Sequence, residues 1–217
     1  MMFGMSPDTL VVVRGGFSME DPWALPPGCE PVRLRGATDG AAPRLATTVA
    51  SYFDDETLTI VFSGADDHIV ATLFGRDDPL YREDVVEVFL APRDVSEYFE
   101  IEVSPVATVF DARIESPHGV RETMHADSSW DCDGLVAGVR KIIEAGTSMT
   151  VDTVIRIPFA SLGSGTPKAG DTWRGNFFRI DRHPGEGDEY CAWRPTLKQP
   201  PDFHVTEAFG TLRFEGC

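Results

Sequence analysis

Hydrophobic and polar residues alternate along this chain in short runs of period two, separated by turn residues at intervals that suit an antiparallel sandwich better than alternating strand–helix units. Candidate strands are Thr9–Val13, Thr47–Tyr52, Leu58–Ser63, Ile69–Phe74, Val85–Leu90, Tyr98–Val103, Thr108–Ile114, Val136–Ile143, Thr150–Ile157, Trp173–Asp181 and Gly210–Phe214. In Tyr98–Val103, Phe99, Ile101 and Val103 form one face while Tyr98, Glu100 and Glu102 form the other. In Thr150–Ile157, Val151, Thr153, Ile155 and Ile157 oppose Asp152, Val154 and Arg156. One face of each such strand belongs to the core and the other to solvent or a binding surface. Asp54-Asp55-Glu56 reads as a hairpin turn, and the best helical candidate is the short Phe159–Leu162 after Pro158. The pattern predicts an all-β fold, a jelly-roll-like antiparallel β-sandwich of immunoglobulin-like size with few short helices.

Residues 1–19 read as an N-terminal strand and lead-in, and residues 20–217 as one sandwich domain. The proline-rich segment from Ser18 to Pro31 is extended, with Trp23 expected to staple it to the body. Two longer loops, Glu115–Gly134 and Arg182–Glu207, are rich in Gly, Pro, His and Trp, and a rigid scaffold hangs its recognition groups on such loops.

Charge narrows the partners. With 19 basic and 35 acidic side chains the formal charge is −16, which disfavours nucleic acid and anionic membrane surfaces and leaves neutral glycans and cations open. Cys29, Cys132, Cys191 and Cys217 form no CxxC pair, so neither a zinc ribbon nor a redox motif is present, and their pairing stays open. The early apolar patch Leu10–Val13 lacks a basic head and a long apolar run. The expectation is therefore a chain without a signal peptide or membrane span, cytoplasmic as written. Its oligomeric state is left open.

Candidate chemistry centres on Asp78–Pro92, where Glu87 shares a strand face with Val85 and Phe89 and Tyr81 lies just upstream. A sugar ring offers C–H groups to an aromatic face and hydroxyls to forked polar side chains, and Tyr81, Glu87, Asn176, Arg179 and Trp193 supply both kinds of partner. Each also has a structural reading. Tyr81 could pack a rim, Trp193 could anchor a loop, and Arg179 could pair with Asp181 on a solvated face.

The ordered series Thr47-Thr48-Val49, Leu58–Phe62 with Asp66 following, Arg76–Tyr81, Glu83–Leu90, Tyr98–Pro105, Ile157-Pro158-Phe159, Trp173–Asp181, Ala192-Trp193 and Phe203-His204 through Phe209-Gly210 resembles the family 9 carbohydrate-binding modules and their DOMON-like relatives. The resemblance spans roughly residues 20 to 215. It implies a β-sandwich that binds glycans without catalysis in the service of carbohydrate catabolism, commonly as part of glycoside-hydrolase systems and often secreted. It further implies a terminal sugar clamped by two aromatics, with acidic calcium sites serving structure. On that resemblance Tyr81 takes the place of a tryptophan, Glu87 accepts sugar hydroxyls, Trp193 is the second clamp, and Asn176 and Arg179 lie on the facing strand.

Two alternatives accompany it. Some DOMON-like relatives hold haem through axial Met, His or Lys, for which Met124, His125 and Met149 are candidates, although no CxxCH is present and no haem is expected. The other is a protein-interaction sandwich whose sugar site has decayed. The pairs beginning at Asp54, Asp66 and Asp77 are turn-formers first and calcium candidates second. Asp131-Cys132-Asp133-Gly134 opens like an EF-hand, but the twelfth position is Ile142. The five histidines have no zinc-motif spacing, and no GxSxG or phosphate-binding loop is present. Any enzymatic role would be that of a module associated with an O-glycosyl hydrolase.

Overall fold

The computed structural model describes residues 8–119, 121–143 and 148–216, so Cys217 and the first seven residues of the lead-in fall outside the described part. Fourteen strands follow in order: β1 (Thr9–Arg14), β2 (Val32–Arg33), β3 (Arg35–Gly36), β4 (Thr47–Phe53), β5 (Thr57–Asp66), β6 (Val85–Ala91), β7 (Glu97–Val103), β8 (Val109–Glu115), β9 (His125–Asp127), β10 (Val136–Ile143), β11 (Met149–Pro158), β12 (Thr172–Asp181), β13 (Glu189–Ala192) and β14 (Gly210–Glu215). Hydrogen bonding links eleven of them in the order β10-β11-β5-β4-β1-β14-β12-β6-β7-β8-β9, with β2 on β4 and β13 on β12 and β3 off this path. This ribbon folds over into two layers, one built on β10-β11-β5-β4 and the other on β14-β12-β6-β7-β8-β9.

The seam between the layers is β1. It pairs in parallel with β14 through Thr9–Val13 and with β4 through Val13 and Arg14, whereas β4–β5, β5–β11, β6–β7 and β6–β12 are antiparallel. The sandwich is therefore mixed and not purely antiparallel. Val49, Ile60 and Ile155 of the first layer meet Val88, Ile101 and Leu212 of the second in the shared core. Phe62 and Phe177 meet edge to face across it at 6.1 Å, as do Phe53 and Phe214 at 5.2 Å. The lead-in covers the outer face of the first layer, where Trp23 packs beside Tyr52, Val61 and Val154 with the Arg140 guanidinium 4.5 Å from its ring.

Strands β6 and β12 are largely buried on both faces, the pattern of strands covered on both sides. Their second face carries another apolar cluster, in which Val85, Phe89, Tyr98, Ala112, Ile114 and Phe178 are overlaid by Phe203 from the late loop and by Phe209 just before β14. That overlay turns an outward sheet face into the floor of a cleft.

Three local expectations change. Ile69–Phe74 is not a strand, because the Val70 N–H donates to the Asp84 carboxylate at 2.6 Å and the Thr72 N–H to Glu83 at 2.5 Å, so acidic side chains satisfy its backbone in place of a neighbouring strand. Phe159–Leu162 forms successive turns and no helix. The late loop contains a strand, β13, which pairs with both β12 and β3. At the β4–β5 hairpin, Asp54 accepts the N–H groups of Glu56 and Thr57 at 2.9 and 2.8 Å, as a turn aspartate does.

Candidate functional site

The alternation that buries Val85 and Phe89 on the outer face of β6 places Glu87 between them. Register then pairs Glu87 with Glu102 of β7 on one side and Phe178 of β12 on the other, while Phe89 pairs with Glu100. Glu87, Glu100 and Glu102 consequently share one face, and each contributes an oxygen to a group in which all three lie within 4.8 Å of one another. Above this acidic group lies a cleft of about 910 Å³, with Glu87 and Glu100 in its lining.

The two long loops supply the walls. Arg121 and Met124 come from the first, and Arg182, Tyr190, Phe203 and His204 from the second. Tyr81 stands on the short 3-10 turn Leu80–Arg82, and its ring is 46% exposed, the most open aromatic of the cleft. Arg182 ties the rim together. Its guanidinium donates to the Tyr81 carbonyl at 2.8 Å and to the Tyr190 hydroxyl, and lies 5.1 Å from the Tyr190 ring. Phe203 is stacked on Phe178 at 4.2 Å, which fixes the opposite wall to the sheet.

Burial dominates the electrostatics of the floor. It pushes the Glu100 carboxyl up to about 7 and the Glu87 and Glu102 carboxyls well above the usual carboxylate range, with mutual repulsion adding to the shift of the latter two. His204, which shares a 2.7 Å hydrogen bond with the Tyr98 hydroxyl, is pushed down to about 4 by burial and is neutral near pH 7. A carboxyl raised by folding binds its proton more tightly in the native state, so it costs stability as pH rises above the unfolded value of about 4.3. Glu102→Gln is therefore expected to raise the melting temperature in metal-free buffer at about pH 8, with the gain vanishing toward about pH 5. Thermal melts of both proteins across that range check this; a gain that grows as pH falls would contradict the assigned burial.

Of the residues expected to form a sugar site, the structure brings Tyr81 and Glu87 to the cleft and takes Asn176, Arg179 and Trp193 elsewhere. Trp193 is 0% exposed and sits in the core between the layers, beside Phe177 at 5.7 Å. Its indole lies against Gly210, where an added Cβ would come within 2.3 Å of the ring. It is not a clamp. Asn176 is buried and holds the strand end after β13, donating to the Arg194 carbonyl at 2.8 Å and accepting the Arg194 N–H at 3.0 Å. Arg179 is buried too, and joins the layers through Thr47 at 2.9 Å, the Ala65 carbonyl at 2.7 Å and Asp66 at 3.0 Å, while pairing with Asp181 of its own strand at 2.5 Å.

The proposed calcium aspartates are not gathered. Asp54 serves its turn and pairs with Arg156 at 3.1 Å, and Asp66 is taken up by Arg179 and the His68 N–H. Asp77 adopts a left-handed φ of 63° at the cleft rim, 3.9 Å from Arg76. These donors and cations leave Asp54 and Asp66 a poor fit to a metal. Of the haem candidates, Met124 packs against the outer-face cluster, His125 is exposed on β9 and Met149 opens β11 in the other layer. Cys29, Cys132 and Cys191 are free and buried, and burial pushes their thiols up to about 11, 12 and 12. Among the described residues, no helix is long and apolar enough to cross a membrane.

Sequence reasoning missed Tyr190, Phe203 and Glu100 as cleft residues, and Glu102 as the buried carboxyl beside them. The last two were legible as the polar face of Tyr98–Val103, and Tyr190 as the outward partner of Cys191 had β13 been recognised.

A β-sandwich that keeps an aromatic-walled, carboxylate-floored cleft on one sheet face has the build of a carbohydrate-binding module. The model of Carbohydrate-binding family 9 matches residues 38–214, and the chain belongs to that family. Among solved structures, a protein from Bacteroides uniformis described as a candidate carbohydrate-binding protein superposes with a TM-score of 0.72 at 18% identity, covering 95% of this chain and 99% of that one. A family 9 module from Caldicellulosiruptor kristjanssonii in complex with cellotriose gives 0.62 at 13% identity, covering 96% and 94%. A family 9 module of the same organism in complex with glucose gives 0.58 at 14% identity, covering 96% of each chain. A search of curated proteins finds no match to this chain.

Proposed function

We propose that this chain binds the terminal residue of a neutral saccharide, without catalysis, in the cleft over Glu87 and Glu100, as an accessory to carbohydrate breakdown. The cleft itself carries the reading. Its volume of about 910 Å³ holds one or two sugar units, Tyr81 and Tyr190 supply faces for C–H groups, and Glu87 and Glu100 supply acceptors for hydroxyls. The glucose and cellotriose complexes of the similar modules favour a glucose-type ligand.

Pairing one open ring with a few hydrogen bonds sets the expected affinity in the micromolar to millimolar range, about −8 to −4 kcal/mol. Tyr81→Ala is expected to weaken it by about 1–2 kcal/mol, roughly five- to thirtyfold. The melting temperature should hardly move, since that ring is nearly half exposed. Calorimetric titration with cellotriose and glucose reads this directly. Undiminished affinity in the variant would remove Tyr81 from the site, and no binding of either sugar by the wild type would favour the interaction-domain alternative.

A further inference from the structure

Among the described residues the buried acids are treated consistently, with one exception. Asp66 and Asp181 are paired to Arg179, Asp111 to Arg76 at 2.7 Å, and Asp152 to Arg140 at 2.8 Å, while Asp84 accepts the N–H groups of Val70 and Arg182 at 2.6 Å each. Glu87 and Glu102, 2% and 0% exposed, form no ion pair among the described residues. Both Glu102 oxygens and one Glu87 oxygen are fully enclosed and make no hydrogen bond of good geometry, the polar groups beside Glu102 being the Tyr81 backbone and the Glu100 carboxyl. The two cleft arginines are committed elsewhere, Arg182 to Asp188, Tyr190 and the Tyr81 carbonyl, and Arg121 to Asp202 at 2.7 Å. The His204 ring lies 3.9 Å from Glu100 and is neutral near pH 7. Three carboxylates brought together by strand register, with enclosed oxygens and no ion pair to an arginine or lysine among the described residues, are short of a positive partner.

We propose that Glu87, Glu100 and Glu102 bind a divalent cation of the calcium class at the floor of the cleft, leaving its remaining coordination positions open to saccharide hydroxyls. Coordination preference selects the ion. Three oxygens within 4.8 Å of one another can share one ion, and calcium accepts irregular oxygen sets at about 2.3–2.6 Å. Magnesium demands near-ideal octahedral geometry at about 2.0–2.1 Å and gives up its waters reluctantly. Calcium also takes six to eight oxygens, more than these three side chains fill, and the open side is the cleft. The effect on sugar affinity rests on the saccharide reading above; the cation site does not.

The test is calorimetric titration of the chelator-treated full chain with calcium chloride alone, followed by glucose titrations with calcium and with chelator. The expected result is stoichiometric calcium binding, at least tenfold weaker in Glu102→Gln and in Glu100→Gln, with magnesium weaker than calcium in the wild type. Two variants are used so that one folded form, checked by circular dichroism, reports on the site. Absence of calcium binding at millimolar concentration, or equal binding by the folded variants, overturns the proposal. Glucose binding without calcium binding overturns the cation site and leaves the saccharide reading standing. Calcium binding that the variants lose supports the site even if no sugar binds.

Discussion

Trp193→Ala is expected to lower the free energy of unfolding by about 3–5 kcal/mol, the range for removing a large aromatic from a packed core. That is a large share of the roughly 5–15 kcal/mol available to an ordinary domain. The indole has no exposed surface, lies beside Phe177, and is accommodated only because residue 210 has no side chain. Its backbone N–H also donates to the Phe177 carbonyl at 2.8 Å, so the ring is inserted at a point where the chain is already tied to β12. Truncation leaves a hole bounded by rigid strands, which collapse poorly around it. Urea denaturation of the two proteins measures the difference. Sugar affinity, read where the variant is still folded, should stay close to wild type, because Trp193 does not reach the cleft. A variant of unchanged stability with lost binding would return the tryptophan to the surface and undo the placement of the site.

The contrast between Trp193 and Tyr190 shows what a sequence alone conveys. Period-two patterning located most long strands and the two loops that wall the cleft, because alternation is a local property of the chain. It also separated Glu100 and Glu102 from the core face of β7. Which face of a short segment points inward depends on register with distant strands. In β13, the pairing of Cys191 with Arg179 and of Tyr190 with Ile180 sends Cys191 and Trp193 to the core and Tyr190 to the cleft. Four residues of strand inside a loop rich in turn formers carry too little periodicity to announce that choice. Arg179 misled for a related reason. Its polar neighbours suggested a solvated face, yet β4 and β5 of the opposite layer close over it.

Closing over an arginine has an energetic consequence that Arg179→Ala exposes. The guanidinium spans from β12 to Thr47, Ala65 and Asp66 of the other layer, and its removal leaves Asp66 and Asp181 buried without their shared cation. Breaking a buried pair by deleting one partner costs about 3–5 kcal/mol, since the remaining charge keeps its desolvation penalty and loses its compensation. Burial already raises the Asp181 carboxyl above its usual range, with Arg179 opposing that shift. Without the arginine the folded-state value climbs further, and a raised carboxyl loses stability as pH rises above its unfolded value of about 3.9. The gap in stability between wild type and variant should therefore widen from about pH 5 to about pH 8, and adding Asp181→Asn to the variant should narrow it at the upper end. Chemical denaturation of the three proteins at both pH values decides the matter. A gap independent of pH would mean that Arg179 acts through its hydrogen bonds to Thr47 and Ala65 and not through charge.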